Sequence, residues 1–152
     1  MEHKIDPHDV LVALLQVQSL IERRSDAFFQ PYGLTSAQFN ILNLLAFHGG
    51  RMEQLSLVEL LLVGKSSISV VLNRMVRSGL IKREDHEKDR RQVVLVLTTK
   101  GRSLWRKISK IYEDGVKQVF GALPVKRRGS FVEDLSVIQE ALTRSFPNST
   151  KV

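Results

Sequence analysis

Apolar residues recur along this chain at spacings of three and four, which predicts amphipathic helices. The first is predicted over residues 7 to about 30, because Asp6 suits an N-cap and Pro7 suits the first helical turn. Its stripe is Val10, Leu14, Val17 and Ile21. Two more helices of this kind are predicted after Thr98 and near Pro124, with these stripes: Leu104, Ile108, Ile111, Gly115 and Val119, then Phe131, Leu135, Ile138 and Leu142.

Three shorter helices are predicted between the first helix and residue 78. Thr35 and Gln38 have the spacing of a capping box, which starts the first of them. The second is predicted over residues 54–62, and Gly64 separates it from the third, over residues 66–78. The apolar stripe of the third helix is Ile68, Val71, Leu72 and Met75. Two helices joined by a short glycine-containing turn are typical of a helix-turn-helix.

After Gly79 the pattern becomes that of β-structure. Residues 80–83 and the apolar, mostly β-branched run at 93–97 are predicted as strands. The segment between them, residues 84–92, is almost entirely charged. A hairpin directly after a helix-turn-helix is a wing, so we predict a mainly α fold with a small β-hairpin wing.

Composition narrows the class of protein. The 152 residues carry a formal net charge of +7, which favours polyanionic partners such as nucleic acid. The absence of cysteine excludes disulfides and thiolate metal sites. No apolar run reaches the roughly 18 residues that span a bilayer, and the amino terminus has no signal-peptide pattern. We therefore expect a cytoplasmic protein with no membrane partner.

No pattern in the sequence indicates catalysis or a bound cofactor. A nucleophile elbow, a phosphate-binding glycine loop and an HExxH motif do not occur, so we expect no enzymatic activity. The histidines could suggest a metal site, but they form no tight cluster with carboxylates along the chain, and we expect no metal and no cofactor. They are His3, His8, His48 and His86.

The polar face of the helix at 66–78 carries the candidate DNA contacts. Small hydroxyl side chains allow close approach to a groove, Asn73 matches a bidentate pair with adenine, and arginine matches guanine or phosphate. An ordinary amphipathic helix would expose similar residues, but its place between another helix and a hairpin favours DNA binding. The predicted contacts are Lys65, Ser66, Ser67, Ser69, Val70, Asn73, Arg74 and Arg77.

The charged loop of the hairpin is harder to interpret, because residues 84–91 include four acids. In one interpretation, Asp89 orients an arginine that enters a narrow minor groove, where the negative potential is enhanced. In the other, the loop is a solvated run of mutually neutralising charges. Spacing alone leaves both open.

Asp89-Arg90-Arg91 is followed, after five intervening residues, by Leu97-Thr98, and this spacing resembles the Asp-x-Arg-x5-Leu-Thr signature of the MarR family of bacterial transcriptional regulators. Other segments are similar to that family's recognition helix, its exit into the wing, and the starts of its second and fifth helices: residues 65–69, 74–75, 79–81, 34–39 and 98–101. The resemblance implies that Asp89 braces the wing and that Arg91 enters the minor groove, with Arg90 beside it. The chain departs from the family at Val70, where a basic residue is common, so Val70 contacts a thymine methyl or does not touch DNA.

The resemblance also implies how the chain is organised. Residues 34–97 would form the winged helix-turn-helix DNA-binding region, and residues 1–33 with 98–147 a helical dimerisation region of the same interleaved domain. Residues 148–152 would be a disordered tail. The helical stripes alone more often indicate an intramolecular bundle. A two-fold homodimer would bind a pseudo-palindromic operator with half-sites about one helical turn apart.

The expected function is sequence-specific transcriptional regulation by a repressor that a small aromatic or anionic ligand releases. Aromatic residues at helical spacing are more often plain core than ligand contacts; the candidate ligand residues are Phe28, Tyr32, Phe39, His48 and Trp105. The alternative function is non-specific or architectural DNA binding on the same fold. A run of basic residues from Lys100 to Lys110 would bind phosphate, face a partner chain, or lie in solvent.

Overall fold

The computed structural model describes residues 5–61, 65–86 and 92–145, and for residues 65–67 it describes the backbone only. The prediction of a mainly α fold with a small β-sheet is confirmed. The elements in chain order are α1 (Pro7–Phe29), a 3-10 turn (Gln30–Tyr32), α2 (Ser36–Phe47), β1 (Arg51–Glu53), α3 (Gln54–Leu61), α4 (Lys65–Arg77), β2 (Ile81–Asp85), β3 (Val93–Leu97), α5 (Thr99–Phe120) and α6 (Val125–Ser145).

Two helices begin at capping boxes, which fix their first turns. At α2, the Thr35 hydroxyl accepts a hydrogen bond from the Gln38 amide at 3.3 Å, and the Gln38 side chain accepts one from the Thr35 amide at 2.9 Å. At α1, Asp6 and Asp9 exchange the same pair of hydrogen bonds. Each box satisfies amide groups that would otherwise lack a partner at a helix start. The start of α2 is therefore where the sequence predicts it.

The sheet has three antiparallel strands in the order β1-β3-β2. Strand β3 spans the predicted residues, whereas β2 is shifted to Ile81–Asp85. The two predicted strands pair as a hairpin, but a third strand was not predicted: β1 pairs with β3 through Arg51 opposite Val96. A strand of three residues has too few positions for a period of two to be recognised.

A single apolar core lies between the short helices and the sheet. Its fully buried side chains come from the end of α1, from α2, α3, α4, both longer strands and the first half of α5: Phe29, Phe39, Ile41, Leu42, Leu45, Leu57, Leu72, Met75, Ile81, Leu95 and Ile108. The chain divides into two compact units, Met1–Ser109 and Lys110–Val152, and the division falls within α5. None of the described helices is long and apolar enough to cross a membrane.

The end of α4 is fastened to the start of α5 at a joint around the Leu80 carbonyl. The Thr98 hydroxyl lies 2.7 Å from the Gly79 carbonyl oxygen and 3.0 Å from that of Leu80, and it accepts a hydrogen bond from the Gly101 amide at 3.0 Å. The Thr98 amide also donates to the Leu80 carbonyl at 3.2 Å. Gly79 adopts a left-handed φ of 72°, which suits glycine. This α4–α5 joint fixes where α4 ends relative to β3 and α5.

Candidate nucleic-acid interface

Helix α4 has one buried side and one open side. Ile68, Leu72 and Met75 are at most 4% exposed and hold the helix in the core. On the other side, Ser69, Val70, Asn73, Arg74 and Arg77 are all exposed. The helix therefore presents a polar face with two arginines, and no acidic residue occurs in α4.

The candidate DNA-contacting residues of α4 differ in the hydrogen bonds that they make within the chain and in their exposure. Within the described residues, the Arg74 side chain makes no hydrogen bond or ion pair, whereas Arg77 Nε donates to the Asn73 carbonyl at 3.4 Å. Val70 is 52% exposed, so its apolar surface is open to a thymine methyl. Lys65, Ser66 and Ser67 lie in the first turn of α4, where only the backbone is described.

A contact that the sequence did not suggest joins α4 to the wing. Arg83 Nη1, on β2, donates a hydrogen bond to Asn73 Oδ1 at 2.8 Å. Ile81 is buried at 1% exposure, and because side chains alternate along a strand, Arg83 leaves β2 on the same face. The alternation of β2 could have placed Arg83 beside α4, but the partner residue lies on another element and follows only from the packing.

The base of the wing is braced by ion pairs on the opposite face of the sheet. Glu84 carboxylate oxygens lie 2.7 Å from both Lys82 Nζ and Arg51 Nη1. The hydrogen bond from Lys82, with added attraction to Arg51, holds the pKa of Glu84 below its usual value despite slight desolvation. The side chains of His86 and Glu53 approach to 3.4 Å. At least one of the four acids of the loop therefore serves to brace the sheet.

The three wing residues implied by the MarR resemblance lie outside the described residues. They are Asp89, Arg90 and Arg91. The two interpretations of the charged loop therefore both stay predictions.

The basic residues from Lys100 to Lys110 do not form one continuous exposed surface. Lys100 Nζ donates to the Ser78 carbonyl at 2.7 Å, at the end of α4. The Arg102 guanidinium lies against Gly50, where a side chain would overlap it. These two cations stabilise the fold locally, and Arg106, Lys107 and Lys110 are exposed.

The five aromatic and histidine candidates for a ligand site fall into two groups. Phe28 and Tyr32 contact each other, at 5.9 Å between ring centroids, and Phe28 also contacts Phe29. Phe29 in turn stacks on Phe39, which is fully buried in the core and offers no surface to solvent. Burial of Phe39 fits the core interpretation of that residue.

The second group lies at the end of α2. Trp105 Nε1 donates to Asn43 Oδ1 at 2.9 Å, and the indole and the exposed Phe47 ring are arranged edge to face. His48 Nδ1 lies 2.8 Å from the Leu44 carbonyl oxygen. Among the described residues, no group of three or more histidines and carboxylates is arranged to hold a metal ion.

Comparison with known proteins identifies the family. A model described as the MarR family matches residues 32–92, which cover most of the helix-turn-helix and wing. The HTH-type transcriptional regulator PecS of Dickeya dadantii is 30% identical over 115 residues, which are 74% of this chain and 68% of PecS. The chain belongs to the MarR family. The HTH-type transcriptional repressor YetL of Bacillus subtilis is 27% identical over 144 residues, 87% of this chain and 84% of YetL.

A solved structure of a MarR regulator extends the agreement to the fold. AbsC, a MarR family transcriptional regulator from Streptomyces coelicolor, has a TM-score of 0.83 at 27% identity, covering 92% of this chain and 97% of AbsC. The MarR chain described here is therefore a DNA-binding transcriptional regulator with a winged-helix fold, as the sequence predicts.

Proposed function

We propose that this MarR protein is a homodimeric, sequence-specific repressor that binds a pseudo-palindromic operator. Helix α4 enters the major groove, and the wing reaches the adjacent minor groove. The observation that carries the proposal is the division of α4 into a buried apolar side and an open polar side. A helix held by its own apolar stripe can present Asn73, Arg74 and Val70 to base edges without loss of packing.

The proposed contact between the wing and DNA depends on one oriented arginine, Arg91, rather than on a broad basic surface. Because Glu84 is already paired with Lys82 and Arg51, it does not add an unpaired negative charge at the base of the wing. Beyond it, Asp89 would orient Arg91 toward the minor groove, where a narrow groove attracts arginine. The exposed Arg106 and Lys107 are free to lie near flanking phosphates.

Dimerisation is supported by the terminal helices. Phe29 is the one buried residue of α1, and α6 has none. Yet both helices expose large apolar side chains, among them Leu15 at 54% and Phe131 at 47%. A soluble chain seldom leaves so many on two helices in water. We assign residues 1–33 and 98–147 to the interface between two copies, so that each copy reads one half-site.

Repression is the proposed direction of control. A bound dimer occupies one face of the duplex over two helical turns, and occupancy near a promoter blocks polymerase. The relative YetL carries the name of a repressor. We further propose that a small aromatic or anionic ligand releases the DNA, through the group of Phe28 and Tyr32 or through that of Trp105 and His48.

The proposal is tested by competition binding at increasing salt concentration. A labelled duplex from the upstream region of the protein's own gene is competed with unlabelled random duplex. We expect a preference of about 1000-fold or more for the specific sequence. This preference should persist when salt has weakened binding to random DNA, because phosphate contacts are the salt-sensitive part.

The same assay distinguishes the sequence-specific repressor from the second candidate function, which is non-specific or architectural DNA binding. In that case random duplex would compete as well as the upstream sequence at every salt concentration, and both affinities would fall together. That result would contradict the proposed function.

A further inference from the structure

The hydrogen bond between Arg83 and Asn73 bears on which base the recognition helix selects. We propose that Arg83 is a specificity-determining residue: it holds the Asn73 side-chain amide so that its NH2 group, rather than its oxygen, is presented to the major groove. The inference rests on the proposed function, because it assumes that the open face of α4 reads base edges.

The orientation of the Asn73 amide follows from the chemistry of its partner. A guanidinium group has N–H donors and no acceptor. The atom of Asn73 that lies 2.8 Å from Arg83 Nη1 must therefore be the oxygen, Oδ1. Because the group is planar, Nδ2 and its two hydrogens point away from Arg83. Within the described residues, Arg83 makes no ion pair that would draw it from this position.

The fold sets the face of β2 from which the exposed Arg83 side chain extends. Buried Ile81 fixes the face of β2 from which Arg83 extends, and Leu95, which pairs with Arg83 across the sheet, is also buried. On α4, buried Leu72 fixes the direction of its neighbour Asn73. The two side chains therefore meet at the corner between the recognition helix and the wing.

The hydrogen bond from Arg83 to the Asn73 side-chain oxygen changes the base that we expect Asn73 to favour. A bidentate pair with adenine uses an amide oxygen to accept from N6 and an amide nitrogen to donate to N7. With the positive guanidinium already on its oxygen, Asn73 is a weaker acceptor and remains a full donor. Guanine presents two acceptors, N7 and O6, to the major groove. We therefore expect guanine over adenine at the base that Asn73 reads, which revises the adenine expected from the sequence.

The test measures base preference rather than affinity alone. Full-length protein selects from a pool of duplexes with a randomised core of about 20 base pairs, enough for two half-sites. Each operator position of the selected consensus is then changed to all four base pairs, and dissociation constants are measured. The position read by Asn73 is the one whose preference disappears in Asn73→Ala.

The variants distinguish the effect of the Arg83 hydrogen bond from the effect of its positive charge and from the effect of any substitution on β2. Arg83→Ala should lower the guanine-over-adenine ratio at that position by about tenfold, the size of one good base contact. Arg83→Lys, which keeps a donor and the charge, should retain most of the preference. Adding Arg83→Ala to Asn73→Ala should change no base preference further. Lys82→Ala is the matched control, since Lys82 is the adjacent cation and pairs with Glu84 on the other face.

Failure of this inference and failure of the proposed function give different results. The inference is overturned if wild type prefers adenine at that position, or if Arg83→Ala and Lys82→Ala lower all affinities equally and leave the ratio unchanged. Thermal melting of each variant checks that the fold is intact. If wild-type protein selects no consensus at all, the proposed function fails, and the inference fails with it.

Discussion

Gly101→Ala is expected to lower the free energy of unfolding by about 3 kcal/mol, although alanine is the better helix former. A Cβ atom at Gly101 would overlap the Leu80 carbonyl oxygen and lie 2.9 Å from Leu97 Cδ1. Neither neighbour is a flexible side-chain end that moves aside, because the Leu80 carbonyl accepts from Thr98 and Leu97 is in the core. Relief of the overlap would require opening the α4–α5 joint.

Urea denaturation of wild type and variant at equal protein concentration measures this difference. Gly129→Ala on α6 is the matched control, since no atom of the same chain outside its own helix backbone lies within 4 Å of a Cβ there. The control should be stabilised by up to about 1 kcal/mol, as helix propensity alone requires. A Gly101→Ala protein as stable as wild type would show that the joint is not packed as described.

Replacing Val17 and Ile21 together by glutamate is expected to convert the proposed homodimer into monomers and to weaken operator binding by about 100-fold or more. Both side chains are exposed on α1, at 54% and 43%, and the proposed interface would bury them. Four charges brought into one apolar interface would have no partners, which opposes association. Two half-sites bound by unlinked monomers also lose the effective concentration that a dimer provides.

Sedimentation measures the mass, and binding is measured on the same samples. Wild type should have twice the 17.3 kDa chain mass, and the double variant should have the chain mass. The control replaces Gln16 and Ser19 by glutamate; both are polar and exposed, and at 3.6 residues per turn they lie on the side of α1 away from Val17 and Ile21. It carries the same charge and should remain dimeric. A monomeric wild type that binds its operator at full affinity would rule out the proposed assembly.

Local signals in the sequence were enough to place most of the fold. The capping boxes at Asp6 and Thr35 mark helix starts, because each depends only on residues three apart. The run at Val93–Leu97 marks a strand through its composition. Strand β1 could not be predicted, since its pairing with β3 is made across more than forty residues and three residues carry little pattern.

In the candidate site, too, features set by residues close in sequence were predictable, whereas contacts between separate elements were not. The exposed face of α4 follows from the spacing of the buried Ile68, Leu72 and Met75, and the structure exposes Ser69, Val70, Asn73 and Arg74 between them. Arg83 was not predicted, because its role depends on the distance between two elements and not on any motif. Likewise, Lys100 belongs to a run of similar cations in the sequence, but the fold places it on the Ser78 carbonyl.

The central claim is that the open face of α4 reads a DNA sequence. Its most direct test is the ratio of dissociation constants for random and operator duplex, compared between wild type and the double variant Asn73→Ala with Arg74→Ala. We expect a wild-type ratio of about 1000 or more, reduced at least tenfold in the variant while binding to random duplex changes much less. An unchanged ratio in a folded, dimeric variant would contradict it.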